Sequence, residues 1–458
     1  MIAGMHLRHR SHSWVTALLV ALIAVVHATS SDAATPKPNV LLILVDDLGF
    51  GDLSVQGAKD MRTPTLDKLA ASGMRFNNFY ANCTVCSPTR AALMTGRYPD
   101  LVGVPGVIRT HADNNWGYLQ PNGPTLPEQM KKAGYQTGMV GKWHLGLESP
   151  NTPNERGFAF FKGFLGDMMD DYYHHRRHDI NYMRLNKDVI DPEGHATDLF
   201  SDWAVTFIEE EKSDRKPWFL YLAYNAPHTP IQPPDEWLEL VKLREPNMTD
   251  KRAKLVALIE HMDHGIGRVL AALKESGQAE NTLVLFTSDN GGQVNVGGFN
   301  GPYRGGKQDM YEGGLRVPFF ASWPGHIVPE STSDEIALTM DLYATVSAVA
   351  GVEVKHEIDG QSLLHVLEGK VEYLGDRDFA WMRREGGIRY GGQCYYGFRE
   401  GPWKLVQNTP YSPLELFNLE KDSAELSNVI AENGEVALRL SNKLSQHIQK
   451  AGAVPWQK

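Results

Sequence analysis

Cysteine is scarce in this sequence of 458 residues, which holds three: Cys83, Cys86 and Cys394. Three cysteines are too few for a framework of disulfide bonds, although the chain is long enough to bury a large core. Cys83 and Cys86 form a Cys-x-x-Cys pair, which fits a redox pair, half of a zinc site or a chance spacing. A zinc site also needs a second cluster of Cys or His at a suitable spacing, and none is evident.

An excess of positive charge is also missing. The 45 lysine and arginine residues face 55 aspartate and glutamate residues, so the formal net charge is −10 at pH 7. We therefore expect no nucleic-acid partner, while local basic patches stay open. The hydrophobic share of 42% and the charged share of 22% are typical of a globular protein.

The apolar stretches are too short to span a bilayer comfortably. The first of them, residues 14–26, follows a basic segment with Arg8 and Arg10, and small residues come after it. This arrangement predicts a secretory signal peptide over residues 1–28, with cleavage as late as residue 33; a membrane anchor is the alternative. We thus expect an exported protein, periplasmic or secreted, with no stable membrane span after signal cleavage.

Short apolar runs that suit strands buried on both faces alternate with helical patterns. The predicted strands are residues 38–45, 135–140, 218–224 and 283–287. The helical pattern is clearest over residues 252–273, where apolar residues recur every three or four positions. The alternation predicts the α/β fold class, with a large, mostly parallel central sheet flanked by helices.

The last eighty residues have a different pattern. Four short strand-like segments with close turns follow one another, and an amphipathic segment over residues 436–451 comes last. This predicts a small C-terminal antiparallel sheet with a helix. We therefore divide the mature chain into a catalytic domain, residues 36–374, and a C-terminal α+β subdomain, residues 375–458.

Polar residues follow the predicted parallel strands, where open α/β sheets bind their ligands. Asp46-Asp47 ends the first strand and Asp289-Asn290 the fourth, while Lys142 to His144 and His228 follow the other two. Oxygen ligands of this kind suit calcium or magnesium rather than zinc. Each pair alone also fits a solvated turn, so the joint placement carries the prediction.

Cys86 opens a predicted helix, which Pro88 favours near its start and Gly96 ends. A helix N-terminus offers free N–H groups and favours an anion. With Arg90 one turn further on, a nucleophile at Cys86 is placed to act on a charged tetrahedral group. The alternative is a buried, inert cysteine.

The segment Cys86-x-Pro88-x-Arg90, followed by Ala-Ala-Leu-Met-Thr-Gly-Arg-Tyr-Pro, resembles the signature of the formylglycine-dependent (type I) sulfatases. This family is arylsulfatase-like and belongs to the alkaline phosphatase superfamily. Residues 141–146 resemble its second signature, and residues 303–307 and 312–318 its later block. The match runs from residue 39 to 318, with a weaker match in the C-terminal subdomain.

The resemblance implies a fold, a modified residue and a set of roles. Cys86 would be oxidised to 3-oxoalanine (formylglycine) by a formylglycine-generating enzyme, a partner during maturation. One calcium ion would be held by Asp46, Asp47, Cys86, Asp289 and Asn290. The catalytic residues would be Cys86, Arg90, Lys142, His144, His228 and Lys307.

The implied reaction is hydrolysis of a sulfuric ester through a formylglycine hydrate at Cys86. One hydroxyl of the hydrate would attack sulfur, and the other would then expel sulfate with help from His144. His228, with Lys307, would protonate the departing alcohol. We expect the substrate to be a sulfated carbohydrate, either a polysaccharide or an oligosaccharide.

A polar segment over residues 167–179 fits a substrate-binding insertion. His174, His175, Arg176 and Arg177 would contact further sulfates or uronates, and neighbouring tyrosines would stack on sugar rings. The alternative is a hydrated surface loop.

Three other functions compete with the sulfatase. A phosphonate or phosphate diester hydrolase of the same superfamily can share the modified cysteine. A non-catalytic sulfoglycan-binding protein would leave Cys86 unmodified, and a thiol-redox protein would use Cys83 and Cys86.

Overall fold

The computed structural model describes residues 1, 4, 37–110, 118–212, 216–386 and 390–456. Apart from residues 1 and 4, the predicted signal peptide and its cleavage site lie outside the described residues. Residues Pro38–Lys458 group into one unit, to which the following account applies. Among the helices in the described ranges, none is both long and apolar enough to cross a membrane.

Twelve of the strands in the described residues precede residue 340. They are β1 (Asn39–Val45), β2 (Met74–Tyr80), β3 (Gln136–Lys142), β4 (Phe160–Phe164), β5 (Arg176–Arg177), β6 (Ile180–Asn181), β7 (Met183–Leu185), β8 (Asp188–Val189), β9 (Trp218–Ala223), β10 (Thr282–Ser288), β11 (Phe319–Ser322) and β12 (Ser331–Leu338). All except β5 and β6, which pair with each other as a hairpin, belong to one sheet.

The central sheet has the strand order β12-β2-β11-β10-β1-β9-β3-β4-β7-β8. Its middle, from β10 to β4, is parallel, whereas β11 and β7 run antiparallel to their neighbours. The predicted fold class, a large and mostly parallel sheet, is therefore confirmed. The four predicted strands correspond to β1, β3, β9 and β10, with ends that differ by one or two residues.

The helices cover both faces of this sheet. Along the chain they are α1 (Pro64–Ala71), α2 (Cys86–Thr95), α3 (Leu126–Lys132), α4 (Ala196–Glu211), α5 (Asp235–Arg244), α6 (Asp250–Glu275), α7 (Glu312–Leu315), α8 (Asp341–Val349), α9 (Leu364–Leu367) and α10 (Gly434–Gly452).

The residues of β1 alternate between two hydrophobic clusters, one on each face of the sheet. Val40, Leu42 and Leu44 pack with α2, α3 and α8 on one face, whereas Leu41 and Ile43 pack with α4 and α6 on the other. Because both faces are covered, every residue of β1 is buried. This explains why the strand is an unbroken apolar run rather than an alternating one.

The C-terminal part contains the predicted antiparallel sheet and helix. Its strands, in spatial order, are β13 (Asp378–Glu385), β14 (Gln393–Glu400), β15 (Trp403–Gln407) and β16 (Glu415–Asn418). Helix α10 packs on one face through Leu440 and Leu444. The other face packs against the catalytic part, where Trp381 and Phe379 contact Tyr80.

A buried ion network joins the two parts. The ammonium of Lys404 on β15 lies 2.8 Å from a carboxylate oxygen of Glu312 and 2.9 Å from one of Glu425. Tyr80 donates a hydrogen bond of 2.7 Å to Glu312 and accepts one of 2.6 Å from Arg399. Since buried charges of this kind are costly to separate, the network couples the small sheet to the large one.

Candidate active site

The carboxyl ends of four neighbouring parallel strands bring the predicted site residues together. The spatial order β10-β1-β9-β3 places the residues that follow these strands side by side. They are Asp289 and Asn290 after β10, Asp46 and Asp47 after β1, His228 after β9, and Lys142 and His144 at the end of β3. The structure therefore assembles at one sheet edge what the sequence separates by more than two hundred residues.

Acidic and amide side chains form the floor of this edge. Ligand atoms of Asp46, Asp47, Cys86 and His228 lie within 4.8 Å of one another. Asn290 donates a hydrogen bond of 2.7 Å to Asp47, and the Asp47 backbone N–H donates one of 3.2 Å to Asp289. All of these side chains are buried.

Two oxygens of this floor fit a metal ion. Among the described residues, Asp46 Oδ1 and Asn290 Oδ1 are buried without a hydrogen-bond partner. A buried oxygen without a partner is costly, and a hard cation would satisfy it. Carboxylate and amide oxygens are ligands that calcium prefers, so Asp46, Asp47, Asp289 and Asn290 fit the calcium ion that the family resemblance implies.

Three buried cations face these acids. Arg90 Nε and Nη2 donate hydrogen bonds of 3.0 and 2.8 Å to Asp289 Oδ2. Lys142 bonds to Asp46, and Lys307 Nζ lies 2.7 Å from Asp47 Oδ2. Burial raises the pKa of Asp46, but nearby cations, Lys142 first, outweigh burial and hold this pKa below its ordinary value.

Cys86 is the first residue of α2, a helix whose residues are all buried. Burial, and then the Asp46 carboxylate, raises the pKa of the Cys86 thiol well above its ordinary value. Burial also raises the pKa of Cys83 to about 12. Redox cysteines need the opposite shift, which argues against the thiol-redox function. Cys83 Sγ instead donates to the Met382 carbonyl 3.6 Å away, so it packs against β13.

His144 and His228 have defined proton positions. A carbonyl oxygen only accepts hydrogen bonds, so His144 Nε2, 2.9 Å from the Ile108 carbonyl, carries the hydrogen. By the same argument His228 Nδ1 is protonated, since it lies 2.6 Å from the Thr229 carbonyl. Burial, followed by nearby lysines, lowers both pKa values. Neutral His144 therefore keeps its lone pair on Nδ1, which is buried and has no partner within the described residues.

Gly141 makes the turn at the end of β3 possible. Its φ is +104°, and a side-chain carbon there would lie 1.9 Å from the Ala223 carbonyl oxygen. Only glycine fits such a position without strain. Two residues after the strand, His144 itself has a φ of +59°.

Residues 105–110, here called the bridging segment, were not singled out from the sequence. The Ile108 N–H donates a hydrogen bond of 3.0 Å to Ser87 Oγ, next to Cys86, while the Ile108 carbonyl holds His144. One peptide thus connects the start of α2 with a candidate catalytic histidine. Because backbone atoms make both contacts, no side-chain signal reveals this role.

Strand β13 anchors the bridging segment. The Arg384 N–H donates to the Pro105 carbonyl at 2.8 Å, and Arg109 Nη2 lies 3.2 Å from Glu385 Oε2. The other oxygen of Glu385 accepts from Arg383 Nε at 3.0 Å, and Arg383 in turn donates to the carbonyl of Gln308, next to Lys307. Glu385 therefore links the C-terminal sheet to both sides of the site.

The predicted substrate-binding residues lie on and beside the β5–β6 hairpin. His175 is buried and bonds to the Gly194 carbonyl, and exposed His174 bonds to Asp171. Arg176 pairs with Asp191 at 2.8 Å, and Arg177 pairs with Asp167 and Asp170 at 3.0 and 2.6 Å. The hairpin cations thus already have acidic partners, and their contact with substrate stays a prediction.

A second group of metal-ligand atoms comprises His195, Asp198 and His261. His195 uses both ring nitrogens: Nδ1 accepts from the Thr197 N–H at 3.2 Å, and Nε2 donates to the Gln232 carbonyl at 3.0 Å. His261 Nε2 lies 2.9 Å from Asp198. Because capping α4 occupies His195, this group does not form a second metal site.

A hard-cation floor, three buried cations and a residue at a helix N-terminus define an enzyme site for a tetrahedral anion. The family model Sulfatase matches residues 38–352, and the model "N-sulphoglucosamine sulphohydrolase, C-terminal" matches residues 305–451. The chain belongs to the sulfatase family and is a hydrolase of sulfate esters.

Named relatives support this assignment. Human N-acetylgalactosamine-6-sulfatase is 33% identical over 91% of this chain and 87% of its own length. An arylsulfatase of Hemicentrotus pulcherrimus is 33% identical over 90% of this chain and 81% of its own. The solved structure of Ps i-CgsB in complex with k-i-k-neocarrahexaose has a TM-score of 0.83 and 30% identity, covering 91% of this chain and 93% of that one.

Proposed function

We propose that the protein is an exported, calcium-dependent sulfatase that releases sulfate from a sulfated carbohydrate through a formylglycine made from Cys86. The observation that carries the proposal is the pair of unpartnered buried oxygens, Asp46 Oδ1 and Asn290 Oδ1. They lie in an acidic cluster that includes Cys86, at the N-terminus of α2. A plain sulfoglycan-binding protein would need neither the metal floor nor a buried residue at that helix end.

Two groups supply chemistry that the unmodified side chains lack. Formylglycine, as its hydrate, supplies an oxygen nucleophile and a route for expelling sulfate that an ordinary Ser or Cys does not have. Calcium supplies Lewis-acid polarisation and positive charge next to the sulfuryl oxygens. Its ligands would be Asp46, Asp47, Asp289, Asn290 and the modified Cys86.

The remaining residues bind the anion and move protons. Arg90, Lys142 and Lys307 offset negative charge on the sulfuryl group. The carboxylate of Asp47 outweighs the lowering effect of burial and raises the pKa of Lys307, so Lys307 stays charged. His144 Nδ1, which carries the free lone pair, accepts a proton from the residue at position 86.

His228 serves the leaving group. Its Nδ1–H is fixed on the Thr229 carbonyl, so Nε2 is the nitrogen that exchanges protons. Nε2 lies 3.6 Å from the same Asp47 oxygen that Lys307 contacts, which places the two cationic groups side by side. We assign protonation of the departing alcohol to His228, with Lys307 next to it.

The substrate, the maturation and the location complete the proposal. Relatives are named as an N-acetylgalactosamine-6-sulfatase and as a protein in complex with a neocarrahexaose, which supports a sulfated carbohydrate as substrate. A formylglycine-generating enzyme would modify Cys86, and the predicted signal peptide would direct the chain to the periplasm or outside the cell. The catalytic domain would span residues 36–374, and the C-terminal subdomain residues 375–458.

The test is sulfate release from sulfated mono-, oligo- and polysaccharides and 4-nitrophenyl sulfate, after co-expression with a formylglycine-generating enzyme. The controls are the Cys86→Ala variant and a calcium-stripped sample. We expect release that both controls abolish. No release from protein whose residue 86 is confirmed as formylglycine would contradict the proposal, and turnover of phosphonate monoesters instead would favour the diesterase alternative.

A further inference from the structure

A cavity of about 570 Å³ adjoins the active site at His144. Its near wall contains Ile108, whose carbonyl holds His144, together with Leu145 and Gly146, which directly follow that histidine. Its far wall contains Gln120 and Arg156. The volume lies in the range of about 300–1,000 Å³ that is typical of ligand pockets.

A second, more open cavity of about 650 Å³ continues from the first. The two share Pro121 and Arg156 on their walls, so the Arg156 side chain lies between them. The second cavity also contains Lys131 and Lys132, the last two residues of α3. Together the two cavities, here called the lateral track, lead from the edge of the active site to a cationic surface.

The cations of the lateral track differ from those of the β5–β6 hairpin. Over the described ranges of the chain, Lys131, Lys132 and Arg156 form no salt bridge, whereas Arg176 and Arg177 each pair with an acid. Arg156 donates to the amide oxygen of Asn151 and to the Leu119 carbonyl, both of which are neutral.

The acids of the lateral track do not neutralise these cations. Glu128 accepts a hydrogen bond of 2.7 Å from the Thr125 N–H and so caps α3. Glu148 lines the first cavity and not the second, so the carboxylate and the lysines stand at different places along the track. The first cavity is therefore polar and mixed in charge, and the second is cationic.

We propose that the lateral track binds the part of the substrate beyond the sulfated unit that reacts. The first cavity takes a neighbouring sugar through its hydroxyl groups, and Arg156, Lys131 and Lys132 bind a second sulfate or carboxylate further along the chain. The preferred substrate is thus an oligosaccharide or polysaccharide with several anionic groups, rather than a sulfated monosaccharide. This inference rests on the proposed function.

The test compares the double variant Lys131→Ala/Lys132→Ala with the matched control Lys251→Ala/Lys274→Ala. The control lysines are exposed and lie on α6, which packs on the opposite face of the sheet from α3. Initial rates are measured with k-i-k-neocarrahexaose, with a chondroitin 6-sulfate hexasaccharide and with 4-nitrophenyl sulfate, each at low and at high salt.

For a hexasaccharide that the enzyme turns over, we expect the ratio of its KM to that of 4-nitrophenyl sulfate to rise about tenfold in the track variant, the scale of a few exposed ion contacts. The control should leave this ratio unchanged. At 0.5 M salt the effect should shrink, because the Debye length falls well below its value of about 10 Å at 0.1 M. A ratio that does not move, or that moves equally in the control, overturns the inference.

Binding separates failure of the track from failure of the reaction. Calorimetric titration of the hexasaccharides into the Cys86→Ala protein reports on the track without turnover. If no substrate is hydrolysed but the lysine substitutions still weaken binding, the reaction is wrong and the track stands. If sulfate is released but neither KM nor binding responds to the lysines, the track is wrong and the sulfatase stands.

Discussion

Replacing Glu385 by glutamine tests whether the C-terminal sheet positions the active site. The substitution keeps the volume and one acceptor oxygen but removes the charge that Arg383 and Arg109 share. The amide nitrogen then faces one of the two guanidinium groups, and a donor cannot satisfy a donor. Glu385 contacts neither the acidic floor nor Cys86 directly, so it is a positioning residue.

The expected loss of stability follows from burial. The side chains of Arg383 and Glu385 are 3% and 2% exposed, and removing one partner of a buried pair costs about 3–5 kcal/mol. We expect about 3 kcal/mol, because the Gln308 carbonyl and the Tyr395 ring still face Arg383. Arg109, at 24% exposure, adds about 0–1 kcal/mol.

The expected loss of activity follows from the bridging segment. Without its anchor on Arg109, Ile108 can shift, and with it His144. A misplacement of about 1 Å costs up to about 10²-fold in rate, so we expect kcat to fall about tenfold. KM should change less, because the acidic floor and Arg90 do not contact Glu385.

Urea denaturation and steady-state kinetics with 4-nitrophenyl sulfate measure the two effects, with Glu372→Gln, an exposed glutamate in the same part of the chain, as the control. A kcat equal to that of the control, in a variant that has lost the expected stability, would refute the positioning role. A loss of free energy below about 1 kcal/mol would refute the energetic reasoning.

Three further predictions concern the interface and the metal. Lys404→Met should cost about 3–5 kcal/mol at pH 8 and less at pH 5.5, because burial raises the pKa of Glu425 and protonation relieves its repulsion with Glu312; equal losses in urea at both pH values would contradict this. Burial lowers the pKa of His447, but Asp100, 2.7 Å away, outweighs burial and raises it. The pair therefore stabilises the fold below about pH 6.5 and loses its effect as the pH rises through the raised pKa, so His447→Asn should destabilise the protein more at pH 5.5 than at pH 9. Calcium at a hundred times its Kd should raise the free energy of unfolding by about 2.7 kcal/mol; no response to calcium in calorimetry after EDTA treatment would exclude a resident site.

The sequence predicts the elements whose pattern is set by burial on both faces. β1 is an unbroken apolar run because helices cover both sides of it, and α6 shows its helical period clearly. β2 escapes prediction because Arg75, Asn77 and Asn78 interrupt its apolar residues near the edge of the sheet. Burial on one face only leaves a weaker signal in the sequence.

The site divides in the same way. The acids at the strand ends were accessible from the rule that parallel strands place their carboxyl ends at one edge, and from the family motif. The role of Ile108 was not, because its contacts use backbone atoms. The pair of Arg109 and Glu385 joins residues 276 positions apart, and no local pattern specifies such a contact.

The complete burial of α2 has a consequence for how the enzyme is made. Every residue from Cys86 to Thr95 is inaccessible in the fold, including Pro88 and Arg90 of the motif that a modifying enzyme would read. A second protein cannot grip this segment once the sheet and its helices have closed over it. The oxidation must therefore take place on the nascent or still-unfolded chain, so a molecule that folds first is committed to inactivity until it unfolds again.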